Sequence, residues 1–78
     1  MNDAYYFKCK KHFKEAINHM LEQYDFQQYY TNPNKEYILC NSDVLIWINH
    51  GVGFIKNLSG NYDFFIEIWR IIKNEKEK

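Results

Sequence analysis

Residues Glu36–Lys56 read EYILC-NSD-VLIWI-NHG-VGFIK, three short apolar runs broken by two polar turns. Runs of about five residues rich in β-branched and aromatic side chains, bounded by Asn, Ser, Asp and Gly, are strand signals. Val44–Ile48 is the strongest of them. Tight polar breaks between such runs predict an antiparallel meander. Gly53, inside the third run, points to a bulge or to close packing against a helix.

Outward from this centre the period changes. From Asp3 to about Tyr24, the apolar residues Tyr6, Cys9, Phe13, Ala16, Ile17, Met20, Leu21 and Tyr24 recur at spacings of three and four. That is the pattern of one apolar helix face, with Asn2 or Asp3 as the cap. On the other side, Asp63, Glu67, Arg70 and Asn74 mark a polar stripe, which predicts a second helix from Asn61 to about Asn74. Ser59-Gly60-Asn61 supplies its boundary and cap, and Asp63 suits the positive end of the helix dipole. Between the first helix and the strands, Gln27–Thr31 fits either a helical extension or an edge strand, before the turn at Asn32-Pro33-Asn34.

The expected fold is therefore α+β, with two helices packed on a small three-stranded antiparallel sheet in the order α-β-β-β-α. The 78 residues form a single compact domain with a tail fraying from about residue 75. Tyr6, Phe13, Ile17, Met20, Leu21, Ile38, Leu45, Trp47, Phe54, Phe64, Ile68, Trp69 and Ile72 are the expected core.

Composition narrows the function. Ten basic residues balance ten acidic ones, which removes the simplest sign of a nucleic-acid-binding protein. Aromatic residues make up 19% of the chain, more than so small a core needs, so some are expected at the surface. Asn, Lys, Ile, Tyr and Phe together number 40 of 78, and their AT-rich codons suggest a low-GC bacterium, phage or mobile element. No apolar leader is visible, and the longest apolar run is far too short to span a bilayer. A cytoplasmic protein with Cys9 and Cys40 reduced is the expectation.

Catalytic signals are weak. Cys9, His12, Glu15 and His19, with Cys40 and His50, offer ligand types for zinc, but no CxxC pair accompanies them. Gly51-Val52-Gly53 lacks the strand-to-helix context of a phosphate loop. No metal site, cofactor or catalytic residue is assigned, and the chain reads as a non-enzyme.

Two surfaces remain. Asp25, Glu36 and Asp43, near Tyr29, Tyr30 and Tyr37, would suit a basic partner surface, such as that of a host nuclease or nucleic-acid-binding complex. In size, charge and codon signature the chain is similar to the small phage proteins that block host enzymes, anti-CRISPR proteins among them. The leading expectation is thus a protein-binding inhibitor or regulator, with a homodimer compatible. The alternative is a nucleic-acid-binding regulator using Lys8, Lys10, Lys11 and Lys14 of the first helix, beside Tyr5, Tyr6 and Phe7. The α-β-β-β-α order also resembles double-stranded-RNA-binding domains in topology. The position of their phosphate-binding lysines, however, reads Asn61-Tyr62-Asp63 here.

Overall fold

The computed structural model describes residues 3–8, 13–30, 37–49 and 51–77. The elements run β1 (Ala4–Lys8), α1 (Phe13–Tyr24), β2 (Gln27–Tyr30), β3 (Tyr37–Cys40), β4 (Val44–Asn49), β5 (Val52–Asn57) and α2 (Tyr62–Glu77). The sheet is five-stranded in the order β1-β5-β4-β3-β2, and every neighbouring pair is antiparallel. Strands β2 to β5 form a meander, and β1 adds to its β5 edge.

The class is α+β, but the three-stranded α-β-β-β-α arrangement is overturned. The structure has two further strands, one at each edge of the sheet. The single helix expected from Asp3 to Tyr24 is instead a strand and a helix. In AYYFK the spacings of three and four compete with a simple alternation: Tyr5 and Phe7 point to one face, Tyr6 and Lys8 to the other. Pairing with β5 decides between them, with Tyr5 opposite Ile55, Tyr6 opposite Phe54 and Phe7 opposite Gly53. Gly53 does pack closely, but against the Phe7 ring of the neighbouring strand; a Cβ there would overlap that ring. Asp3 caps no helix. Its carbonyl accepts from Asn57 N at 2.7 Å, and its carboxylate accepts from the Tyr62 hydroxyl at 2.6 Å. Gln27–Tyr30 takes the edge-strand option.

Both helices lie on one face of the sheet. Ile17 and Met20 from α1, and Phe65, Ile68 and Ile72 from α2, meet Phe7, Leu39, Val44, Ile46, Ile48 and Ile55 from the strands. Tyr5 stacks on Trp69, with ring centroids 4.7 Å apart. Of the core expected from the helices, Ile17, Met20, Ile68 and Ile72 are buried, Leu21, Phe64 and Trp69 are half-buried, and Phe65 is buried in place of Phe64; in the sheet the expected set is inverted. Leu45, Trp47, Ile38, Phe54 and Tyr6 point away from the helices, and their sequence neighbours are buried instead. Side chains alternate along a strand, so a shift of one residue moves the whole set to the other face. A run as uniformly apolar as VLIWI does not say which set goes inward. Phe13's side chain lies outside the described residues.

Local chemistry fixes the ends of the elements. Phe64 N donates to Asn61 Oδ1 at 3.3 Å, the expected N-cap of α2. Asp25 leaves α1 with φ of 57°, in the left-handed region typical of a residue just past a helix end. Asn41 Nδ2 donates to the Tyr24 carbonyl at 3.1 Å, while its Oδ1 accepts from Asp43 N and Val44 N at 2.9 Å each. One side chain thus ties the end of α1 to the β3–β4 turn. Gly51, with φ of 80°, closes the β4–β5 hairpin. Among the described residues, no helix is long and apolar enough to cross a membrane.

Candidate functional site: the open face of the sheet

Burying one face of the sheet under α1 and α2 leaves the other uncovered by any described element. Its middle row is read from the strand registers: Tyr6 opposite Phe54, Phe54 opposite Trp47, Trp47 opposite Ile38, and Ile38 opposite Tyr29. Adjacent strands lie about 4.8 Å apart, so this row crosses the sheet over about 19 Å. Tyr6 is 76% exposed, Tyr29 52% and Trp47 43%, while Phe54 and Ile38 are half-buried between them. The Tyr6 and Phe54 rings touch in a tilted pair with centroids 5.0 Å apart.

Two flanking rows complete the face. Ala4, Lys56, Leu45, Cys40 and Gln27 form one; Lys8, Val52 and Asn49 form the other. Lys8 and Lys56, both exposed, are the only charged residues among the described positions of these three rows. The described carboxylates of the helices, including Glu22, Asp63 and Glu67, belong to the opposite side of the molecule. The helices carry cations as well, with Lys14 on α1 and Arg70, Lys73 and Lys76 on α2.

The concavities lined by described residues include these three. One, of about 260 Å³, lies on the open face and is lined by Trp47, Asn49, Val52, Gly53 and Phe54. A second, of about 300 Å³, is lined by Asp25, Gln27, Tyr29, Cys40, Asn41 and Ser42 at the β2 end of the same face. The third is a shallow groove of about 680 Å³ on the helix side, whose walls include Tyr24, Tyr62, Glu67 and Arg70. There, burial and the nearby Glu67 carboxylate push the Tyr24 hydroxyl pKa up, and the hydroxyl donates to Glu67 Oε1 at 3.3 Å. Tyr62 is raised chiefly by its hydrogen bond to Asp3.

The acidic-aromatic set expected from the sequence is only partly assembled. Asp25 and Tyr29 meet at the second concavity. Tyr30 and Tyr37 are cross-strand partners, one register step from the Tyr29–Ile38 pair. Asp43 is engaged in the fold: its carboxylate accepts from the Ser59 hydroxyl at 2.7 Å and its carbonyl from Leu58 N at 2.8 Å. Glu36 lies outside the described residues. The basic set does not share one helix. Lys8 is on β1 beside Tyr6, Lys14 is on α1, and Lys10 and Lys11 lie outside the described residues. Cys9, His12 and His50 also fall outside them, and the described residues hold no group of three metal-ligating side chains. Cys40 is a free, half-buried thiol.

Trp47 and Tyr6, expected in the core, are exposed on the open face. The available signal was chemical asymmetry within VLIWI. Val44, Ile46 and Ile48 are purely aliphatic, whereas the alternate set contains the tryptophan, whose N–H wants a polar neighbour or water. The sequence matches no protein-family profile, and neither the curated proteins nor the solved structures contain a significant match.

Proposed function

We propose that this chain is a non-enzymatic binding domain that holds single-stranded nucleic acid on the open face of its sheet. The observation that carries the reading is the Tyr6–Phe54–Trp47–Ile38–Tyr29 row, flanked by Lys8 and Lys56; the one described carboxylate beside it is Asp25, at the Tyr29 end. Exposed rings stack on unpaired bases, and lysines neutralise phosphates. Lys8 also begins the basic run that continues to Lys10 and Lys11 in the sequence. On this reading Lys8 and the aromatic row, rather than a basic helix, hold the nucleic acid.

The test is fluorescence polarisation of a labelled single-stranded dodecamer at rising salt, with a duplex of the same sequence as competitor. Binding should fall steeply with salt, and Trp47→Ala should weaken it about tenfold or more, since stacking contributes ~1–3 kcal/mol per base. Absence of binding at 100 µM oligonucleotide, or affinity unchanged by Trp47→Ala and Tyr6→Ala, would sink the reading.

A second reading keeps a protein partner, with the chain as an inhibitor or regulator of it. The meeting of Asp25 and Tyr29 at one concavity supports it, as does the aliphatic share of the open face (Ile38, Leu45 and Val52), which suits an interface core. It predicts a partner retained after nuclease treatment and lost on Tyr29→Ala with Asp25→Lys.

A further inference from the structure

The hollow beside Trp47 has features that a flat stacking platform does not need. It is lined by two adjacent cross-strand pairs, Trp47 with Phe54 and Asn49 with Val52, and by the backbone of Gly53. Its volume of about 260 Å³ suits one ring system rather than an extended chain. Its walls are mostly apolar, and Asn49 is their one side-chain amide. Asn49 Oδ1 is closed off from solvent and accepts no hydrogen bond in the structure. A buried acceptor left without a donor is costly, so this oxygen would gain from a donor brought within reach of it.

From this we infer that the hollow is a subsite for one unstacked nucleobase, whose ring lies against Trp47 and Phe54 and whose N–H edge donates to Asn49 Oδ1. Because Asn49 Oδ1 is shielded in the structure, this subsite requires the Asn49 side chain to turn its oxygen toward the hollow when the base enters. The inference rests on the nucleic-acid reading above and deepens it. Lys8 and Lys56, in the two flanking rows, are the cations nearest in the sheet for the phosphates on either side of that base. The aromatic row supplies affinity for any sequence; Asn49 adds a requirement that the base in the hollow carry a ring N–H or amino group.

The test uses the full chain and two oligonucleotides, (dT)12 and the same dodecamer built from N3-methylthymidine. Methylation keeps the stacking ring and removes its only N–H donor. Wild-type protein should bind (dT)12 about fivefold more tightly, the size of one net hydrogen bond. Asn49→Ala and Asn49→Thr should each bring the two affinities together, with circular dichroism confirming that both variants fold. Equal affinity of wild type for the two oligonucleotides, with both lost on Trp47→Ala, would overturn the subsite while leaving the nucleic-acid reading intact. A methylation penalty that persists in both Asn49 variants would be steric and would overturn it too. If neither oligonucleotide binds, the nucleic-acid reading fails and takes the subsite with it.

Discussion

Phe7 lies across Gly53, and the ring occupies the space where any larger residue's Cβ would sit. This cross-strand pair joins β1 to the meander. An aromatic ring over a bare backbone fills what would otherwise be a gap in the sheet's helix-facing surface. Phe7 also meets Trp69 of α2 at a centroid distance of 6.1 Å, so the pair links edge strand, sheet and helix.

Gly53→Ala should therefore destabilise the protein by at least ~1–3 kcal/mol, the cost of overpacking. Phe7→Ala should cost about 3–5 kcal/mol through the lost buried ring. The double variant Phe7→Ala with Gly53→Ala should be less destabilised than the sum, because removing the ring frees the space the new methyl needs. Urea unfolding of all four proteins checks this; additive losses would mean the two residues do not share that space.

The parity of β4 gives a second prediction. Ile46→Ala should cost about 2–5 kcal/mol, because the side chain is fully buried. Trp47→Thr, one residue along, should change stability by less than ~1 kcal/mol, since the ring projects from the open face and Thr suits a strand. Thermal melts of the two variants decide which face is inside. A larger loss from Trp47→Thr than from Ile46→Ala would reverse the assignment.

The same comparison explains what could be read from the sequence. The three central strands and α2 were legible because apolar runs and polar breaks alternate at distances the local chain sets. The edge strands were not, because their identity depends on partners far along the chain. Tyr5 and Phe7 become a strand only when Ile55 and Gly53 stand opposite them. Gly53 carried a trace of this, since a glycine within a strand signals something close by, but not what. Of the candidate site, Lys8, Tyr6 and Tyr29 are legible in the sequence as basic and aromatic surface candidates. Trp47 was missed because a mid-strand tryptophan is read as core unless the sheet's buried face is already known.

Asn41 offers a third test, of how α1 is held against the β3–β4 turn. Its amide donates to the Tyr24 carbonyl and its oxygen accepts two backbone N–H groups. Asn41→Ala should cost about 1–3 kcal/mol, as several half-buried backbone groups lose partners together. Asn41→Asp retains the acceptor and loses only the donor, so its loss should be smaller. Chemical denaturation of both should rank Ala below Asp below wild type; equal losses would show that the bond to Tyr24 is the only one that matters.

Alkaline pH should weaken the fold through two tyrosines. Tyr24 is raised above its ordinary value by burial and by Glu67, and Tyr62 by its hydrogen bond to Asp3. For each, the folded state holds its proton more tightly than the unfolded chain. The stabilisation is complete below the unfolded tyrosine value of ~10. It is lost as pH rises through the higher folded values, where the unfolded state has already released its proton. Melting temperatures from pH 8 to 11.5 should fall faster for wild type than for the double variant Tyr24→Phe with Tyr62→Phe, which has no such protons to lose. Below pH 9 wild type should be the more stable of the two, because the hydroxyls still donate to Glu67 and Asp3. The two curves should therefore converge as pH climbs past 10. Parallel curves across the whole range would mean that neither hydroxyl is held in the folded protein, and the links from α2 to α1 and to β1 would have to rest on packing alone.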